Sequence, residues 1–298
     1  MIKGAKKFGG VTLLEAKRNG AYPHCHTLYV EDGEGLLVDP ACRREQLEAV
    51  RDNGGAGVII NSHAHVDHVL FNSMFPGSEV WAHEADAPAI ESPEEMRARG
   101  MKEKFPKEIS EAQTSMLREK YGYRGTRVTR FLRDGEELRI GGTLIRIIHS
   151  PGHTPGHIFV HFPEIRLLFL GDITFTQFGP WYGCRVANID DLLASIDRAV
   201  GIDADWYVPA HGGPVYDDIK GLAKEYSGVV LRREAEILDA IGGGATLDEL
   251  ADKKLIYRKS SAPEAVARAV EKSVMIKHLE RLEAAGRVAL DGDRYVKL

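Results

Sequence analysis

Residues 63–68 read His63-Ala64-His65-Val66-Asp67-His68 and follow directly on an apolar run, Val58-Ile59-Ile60. Four side chains able to bind a metal thus fall within six residues, at the end of an expected strand. Nothing else in the chain limits its fold as tightly. In an extended segment alternate side chains point the same way, so His63 and His65 are placed to grip one ion together. Asp67 continues the alternation and His68 steps off it, which frees both to reach a second ion. The helical i, i+4 histidine pair of zinc proteases has a different spacing.

Further donors follow in order. His153 lies in Ser150-Pro151-Gly152-His153-Thr154-Pro155-Gly156-His157. Asp172 follows the apolar run Leu167-Leu168-Phe169-Leu170-Gly171, and His211 follows Trp206-Tyr207-Val208 within Pro209-Ala210-His211-Gly212-Gly213. Each sits where a buried strand is expected to break into a Gly/Pro-rich turn, the place where a rigid scaffold presents functional residues. Imidazole and carboxylate donors without thiolate suit zinc, with iron or manganese as competitors.

The order His63-x-His65-x-Asp67-His68, then His153, Asp172 and His211, resembles the metallo-β-lactamase-fold hydrolases, over roughly residues 8–215. The resemblance implies an αββα sandwich and two divalent metal ions. It implies that His63, His65 and His153 hold one ion and Asp67, His68 and His211 the other, with Asp172 bridging them. It also makes Asp67 and Asp172 the carboxylates of the catalytic centre. Some features depart from parts of that family. No cysteine stands at a second-metal position, and no long insertion separates Asp172 from His211, as one does in nucleic-acid-cutting members. The turn Pro209-Ala210-His211-Gly212 differs from that expected of glyoxalase II relatives. The resemblance therefore gives chemistry rather than substrate.

At 298 residues the chain has room for a large domain and a small one. Its hydrophobic content of 43% and charged content of 28% are those of an ordinary globular protein. A net charge of −5 argues against a general polyanion-binding surface. No apolar run approaches the length that spans a bilayer, and the start, Met1 to Lys7, lacks the apolar core of a signal peptide. Cys25, Cys42 and Cys184 read as reduced thiols, and the expected location is cytoplasmic. A metal-ligand role for Cys184 would be unusual.

β-rich runs at 11–14, 27–30, 35–38, 58–60, 79–81, 143–148, 158–160, 167–170 and 206–208 alternate with helical stretches at 43–53, 107–121 and 189–200. This is an α/β chain with buried sheets. Asp32-Gly33 and Asp134-Gly135 read as hairpin turns, so much of the sheet is expected to be antiparallel or mixed. Residues 84–125 are charged and broken by Pro88, Pro93 and Pro106. They read equally as a lid over the mouth of the site or as a solvated excursion.

The hydrolase-like part is expected over 1–220 and a separate module over 221–298. In the module a helix is expected from Val229 to Ile241. A second starts at Thr246 with Glu249 three residues on, a capping-box pattern. A third starts near Ala262-Pro263, and a hairpin turns at Asp291-Gly292. Three helices and a hairpin resemble a winged helix. Lys253, Lys254, Arg258 and Lys259 cluster there, but basic and acidic residues nearly balance, so a packing or substrate-wall role is favoured over nucleic-acid binding.

Two cations bridging a water would lower its pKa towards neutrality, and the resulting metal-bound hydroxide would be the nucleophile. Asp39 reads as a carboxylate orienting a ligand histidine or as a strand-end cap. His24 and His26 would line the mouth. His149 and His157 bracket His153 without matching a ligand position, and His83 and His161 read as strand residues satisfied by hydrogen bonds. Phe175, Phe178, Trp181 and Tyr182 form either an aromatic lip or packing. The leading function is a dinuclear hydrolase of a small ester, thioester or lactone. Phosphodiester or RNA hydrolysis, a mononuclear iron oxygenase, and a winged-helix regulator with a vestigial site are the alternatives. Oligomeric state is not legible.

Overall fold

A computed structural model describes residues 5–213 and 215–298, so the first four residues of the N-terminal stretch lie outside the described residues. The first sheet orders seven strands as in the chain: β1 (Ala5–Phe8), β2 (Val11–Leu14), β3 (Thr27–Val30), β4 (Leu36–Val38), β5 (Val58–Ile60), β6 (Glu79–His83) and β7 (Arg130–Leu132). β1 to β4 pair antiparallel, and β4 to β7 pair parallel. The parallel half needs crossovers. α1 (Arg44–Asp52) supplies the first, and the metal-binding motif with the short helix α2 (Val66–Val69) supplies the second. The third carries α3 (Ala87–Glu91), α4 (Pro93–Arg99) and α5 (Lys107–Ser115), which runs on as a π-helical turn over Met116–Lys120.

The second sheet joins β8 (Glu137–Ile140), β9 (Thr143–His149), β10 (Ile158–Phe162), β11 (Leu167–Phe169) and β12 (Trp206–Val208). Its order is β12-β11-β10-β9-β8, antiparallel except for the β11–β12 pair. The mixed character expected of the sheets is present. The turn at Asp134-Gly135 is a correction, however, because it carries the chain from β7 in one sheet to β8 in the other and closes no hairpin.

Period-two alternation explains the layers. On β10, Ile158, Val160 and Phe162 face the first sheet in one buried cluster, while Phe159 faces the helices in another. β11 divides the same way, with Leu167 and Phe169 on one side and Leu168 on the other. Strands covered on both faces carry apolar residues at every position. His161 on β10 departs from this. It is buried, and neither ring nitrogen has a hydrogen-bond partner, contrary to the expectation of a satisfied histidine.

Beyond α6 (Ile189–Val200) and β12, the chain forms α7 (Lys220–Ile241), β13 (Ala245–Thr246), α8 (Leu247–Asp252), α9 (Glu264–Ala284), β14 (Val288–Asp291) and β15 (Arg294–Lys297). The small sheet has the order β13-β15-β14. The capping box at Thr246 and Glu249 is formed, and β14 and β15 pair antiparallel across Asp291-Gly292. α7 begins nine residues earlier than Val229. Gly228 inside it costs about 1 kcal/mol relative to alanine, but the buried stripe Ala223, Tyr226, Val230 carries the helix through. Pro263 sits one residue before α9, at its cap rather than in its first turn. Lys253 donates to the Ala240 carbonyl and Arg258 pairs with Glu236, so part of the basic cluster is committed within the fold.

Candidate metal centre

The seven donors named from sequence converge at the strand ends between the two sheets. His63, His65, His153 and Asp172 present one donor atom each, all within 4.8 Å of one another, and Asp67, His68 and His211 form a second such group. The motif is not extended throughout. His65 has β-region backbone at the N-cap of α2, and Asp67 and His68 lie in its single helical turn. The helical turn, not strand alternation, separates Asp67 and His68 from His63 and His65.

Two buried carboxylates shape these loops. Asp39, just beyond β4, has a left-handed φ of 52°. It accepts from the Ser62 amide (2.7 Å), the Ser62 hydroxyl (2.5 Å) and His68 Nδ1 (2.7 Å). Asp39 therefore orients His68 and holds the Ser62 turn at the end of β5, and its side chain bonds to these groups rather than capping its own turn. Asp86 is the carboxylate that sequence reasoning missed. It accepts from the Ala64 amide (3.0 Å), the Thr154 hydroxyl (2.6 Å) and the Gly156 amide (2.9 Å), tying the first motif to the His153 loop. A Cβ on Gly156 would stand 2.7 Å from Asp86, so the approach requires glycine. Its position before Ala87-Pro88 reads as a helix cap, and it is the N-cap residue of α3, yet its side chain makes no cap bond there.

The outer ring nitrogens fix the inner ones. His153 Nδ1 donates to the Trp181 carbonyl (2.9 Å), and His211 Nδ1 donates to the Gly20 carbonyl (2.6 Å). His68 Nδ1 is committed to Asp39, and His63 Nδ1 lies 3.0 Å from the Ser62 hydroxyl. Where these rings are neutral, as ligation requires, each Nε2 turns inward with a free lone pair. His68 Nε2 and His211 Nε2 then face each other at 3.1 Å, and His153 Nε2 and His63 Nε2 face His65 Nδ1 at 2.9 and 3.1 Å. Asp172 Oδ1 stands 3.0 Å from His68 Nε2 and 3.2 Å from His211 Nε2, yet it is buried and no hydrogen bond reaches it. Acceptors converging on acceptors repel one another unless cations lie among them. The residues present therefore fit the metal ions that this donor order implies.

Burial holds His63 and His65 well below the ordinary imidazole range, in the neutral form that ligates. Burial opposes charge on His68 and His211 as well, but Cys25, Asp172 and Asp39 outweigh it at the first and Asp172 and Asp67 at the second, so both pKa values rise and a proton takes the place among these donors where no metal ion holds it. Burial also pushes Asp172 up, and His153, His211 and His68 more than reverse this, so its carboxyl lies well below the usual range.

The remaining candidates sort by contact. His157 accepts from the Asp172 amide at Nε2 (3.1 Å) and lies 2.8 Å from the Ser150 hydroxyl at Nδ1, so it steadies Asp172 without joining either donor group. His26 is buried and accepts from the Ala16 amide. It lines a cavity with Asn19, Pro209 and Gly213, beside the turn that carries His211. His24 meets the edge of the Tyr121 ring, and His83 stacks on His149 at 4.1 Å. Cys184 lies behind His65, with Sγ 3.5 Å from Nε2 and outside both groups. Cys25 packs close to Asp39 and His68 as a buried thiol whose pKa burial raises. Of the aromatic residues, Phe175 and Tyr182 are packing, while Phe178 stays exposed. Residues 84–125 bond to two other segments: Gln113 donates to the Tyr22 hydroxyl, and Arg185 donates its amide to the Gly100 carbonyl.

An α/β sandwich with this His/Asp cluster between its sheets defines a class. Residues 24–211 match the Metallo-beta-lactamase superfamily, and the chain belongs to it. It is 26% identical over 243 residues to a hydroxyacylglutathione hydrolase of Methylococcus capsulatus, covering 78% of this chain and 80% of that protein. It is 30% identical over 112 residues to the beta-lactamase-like protein 2 homolog of Caenorhabditis elegans, a match spanning 37% of this chain and 36% of that protein. A metallo-beta-lactamase family protein from Thermus thermophilus shares the fold with a TM-score of 0.73 at 25% identity, over 97% of this chain and 99% of that one. The likeness to that structure therefore extends through α7, α8 and α9.

Proposed function

We propose that this chain is a dinuclear metal-dependent hydrolase of a small ester, thioester or lactone. His63, His65 and His153 would hold one ion, and Asp67, His68 and His211 the other, with Asp172 between them. Zinc suits the donors best. When bound, such ions lower the pKa of a water and polarise the carbonyl that it attacks. The observation that carries the reading is the buried, unpartnered Asp172 Oδ1 facing the inward nitrogens of His68 and His211. Asp67 can accept a hydrogen bond from the attacking water and so orient it, while Asp172 would tie the two ions together. The nearby thiols are poor alternatives as nucleophiles, since burial pushes Cys184 up to about 12 and raises Cys25 further. The likeness to a hydroxyacylglutathione hydrolase supports a thioester among the three substrates.

We read residues 221–298 as a winged-helix-like module that packs on residues 1–220. The buried stretch of α9, Ser273 to Ile276 with His278 and Leu279, supports packing over nucleic-acid reading. Zinc-loaded chain offered thioesters, lactones, esters and phosphodiesters should turn over the carbonyl substrates and leave phosphodiesters intact. In ¹⁸O-labelled water a single turnover should place the label in the acid product. Faster phosphodiester cleavage, or a trapped acyl-enzyme, would overturn the reading. Duplex DNA should not bind tightly, and tight binding that weakens steeply with salt would assign the module a regulatory role instead.

A further inference from the structure

α7 reaches the metal centre through the segment that follows Asp172. Tyr226 and Arg233 lie seven residues apart, about two helical turns, and so share one face of α7. Both are buried. Tyr226 lies at the start of the segment, where its hydroxyl accepts from the Thr174 amide at 3.4 Å and lies 3.1 Å from the Thr174 hydroxyl. Thr174 is two residues beyond Asp172. Arg233 lies at the far end. Its guanidinium donates to the carbonyls of Phe178 (2.5 Å) and Pro180 (3.3 Å) and to the Tyr182 hydroxyl (3.1 Å). It also lies over the Phe178 ring, 4.5 Å from the centroid. The Tyr182 hydroxyl in turn meets His278 Nε2 of α9 at 2.8 Å.

Arg233 thus grips the residues on both sides of Trp181. The Trp181 carbonyl is the acceptor that fixes the tautomer and tilt of His153. We propose that Arg233 and Tyr226 are positioning residues for the metal centre: Arg233 holds Pro180 and Tyr182 so that the Trp181 carbonyl presents His153 Nε2 to the first ion, and Tyr226 holds Thr174 and so steadies Asp172 two residues before it. The inference rests on the ligand assignment above. Groups behind a ligand that set its orientation commonly control affinity by about 10–100-fold. A lysine cannot replace the planar fork, which reaches three oxygens at once.

The test is zinc binding to the full-length, metal-free chain by competition with a chromophoric chelator, giving two stepwise constants, alongside the Tm of the metal-free protein. Arg233→Met should weaken one constant by about 10–100-fold and leave the other near its wild-type value. A lower Tm with both constants unchanged would mean that Arg233 only packs, and the proposal would fall. Where Arg233→Met does not fold, Tyr226→Phe and Tyr182→Phe remove one hydroxyl each without changing shape. Tyr182→Phe should weaken the same constant as Arg233→Met, and Tyr226→Phe, which acts beside the shared Asp172, should weaken both constants, while unchanged constants in both variants would also overturn the proposal. Failure of the wild-type chain to take two zinc ions would instead refute the ligand assignment.

Discussion

Asp86→Asn tests whether one carboxylate holds the two ligand loops together. Oδ2 accepts from the Ala64 amide and the Thr154 hydroxyl, and Oδ1 accepts from the Gly156 amide. An asparagine has the same shape but only one acceptor oxygen. With that oxygen on the Oδ2 side, its NH2 confronts the Gly156 N–H. Flipped, it confronts the Ala64 N–H, while the Thr154 hydroxyl can rotate to accept. Either way one backbone donor is orphaned and the surviving bonds lose their charge assistance. Hydrogen bonds to charged groups contribute about 1.5–3 kcal/mol, and a buried unsatisfied donor costs about 1–3 kcal/mol. Part of the lost bond and the orphaned donor are the same interaction, so the expected loss is about 2–4 kcal/mol. Urea unfolding of the metal-free protein, followed by circular dichroism, measures it without a contribution from bound ions. A midpoint shift equivalent to less than about 0.5 kcal/mol at unchanged m would refute the reasoning.

His161→Leu should stabilise the protein by about 1–2 kcal/mol, because it removes two buried nitrogens without partners. Burial lowers the His161 pKa, so the wild type loses stability as pH falls through the ordinary imidazole range and the unfolded chain takes up the proton. The advantage of the leucine variant should therefore grow from pH 8 to pH 5 in urea melts, and a constant or shrinking advantage would contradict this. Asp39→Asn should weaken zinc at the His68 group by about 10–100-fold, because His68 Nδ1 loses its carboxylate acceptor. Chelator competition should show the change in one constant, and wild-type values in both would exclude an orienting role.

Local pattern made much of this fold legible. Runs such as Val58-Ile59-Ile60 and Leu167-Leu168-Phe169-Leu170 are strands buried on both faces, and the donors stand at their ends. What sequence hides is how a polar side chain is used across long separations. Asp86 looks like a cap and instead bonds residues 22, 68 and 70 positions away. His157 looks like a stray histidine and instead supports the Asp172 amide. Asp134-Gly135 has hairpin chemistry, but whether the next strand stays in the sheet or crosses to the other is decided by packing, not by the turn. The onset of α7 was hidden by Gly228, whose local cost is outweighed by tertiary burial.

The central claim is that seven side chains form two ion sites sharing Asp172. It is tested most directly by zinc stoichiometry of the metal-free chain, in wild type and in His63→Ala and His211→Ala. The account predicts two tightly held ions in the wild type. It predicts that each alanine variant loses one of them, and that the two variants lose different ones. A single ion in the wild type, or the same ion lost in both variants, would contradict it.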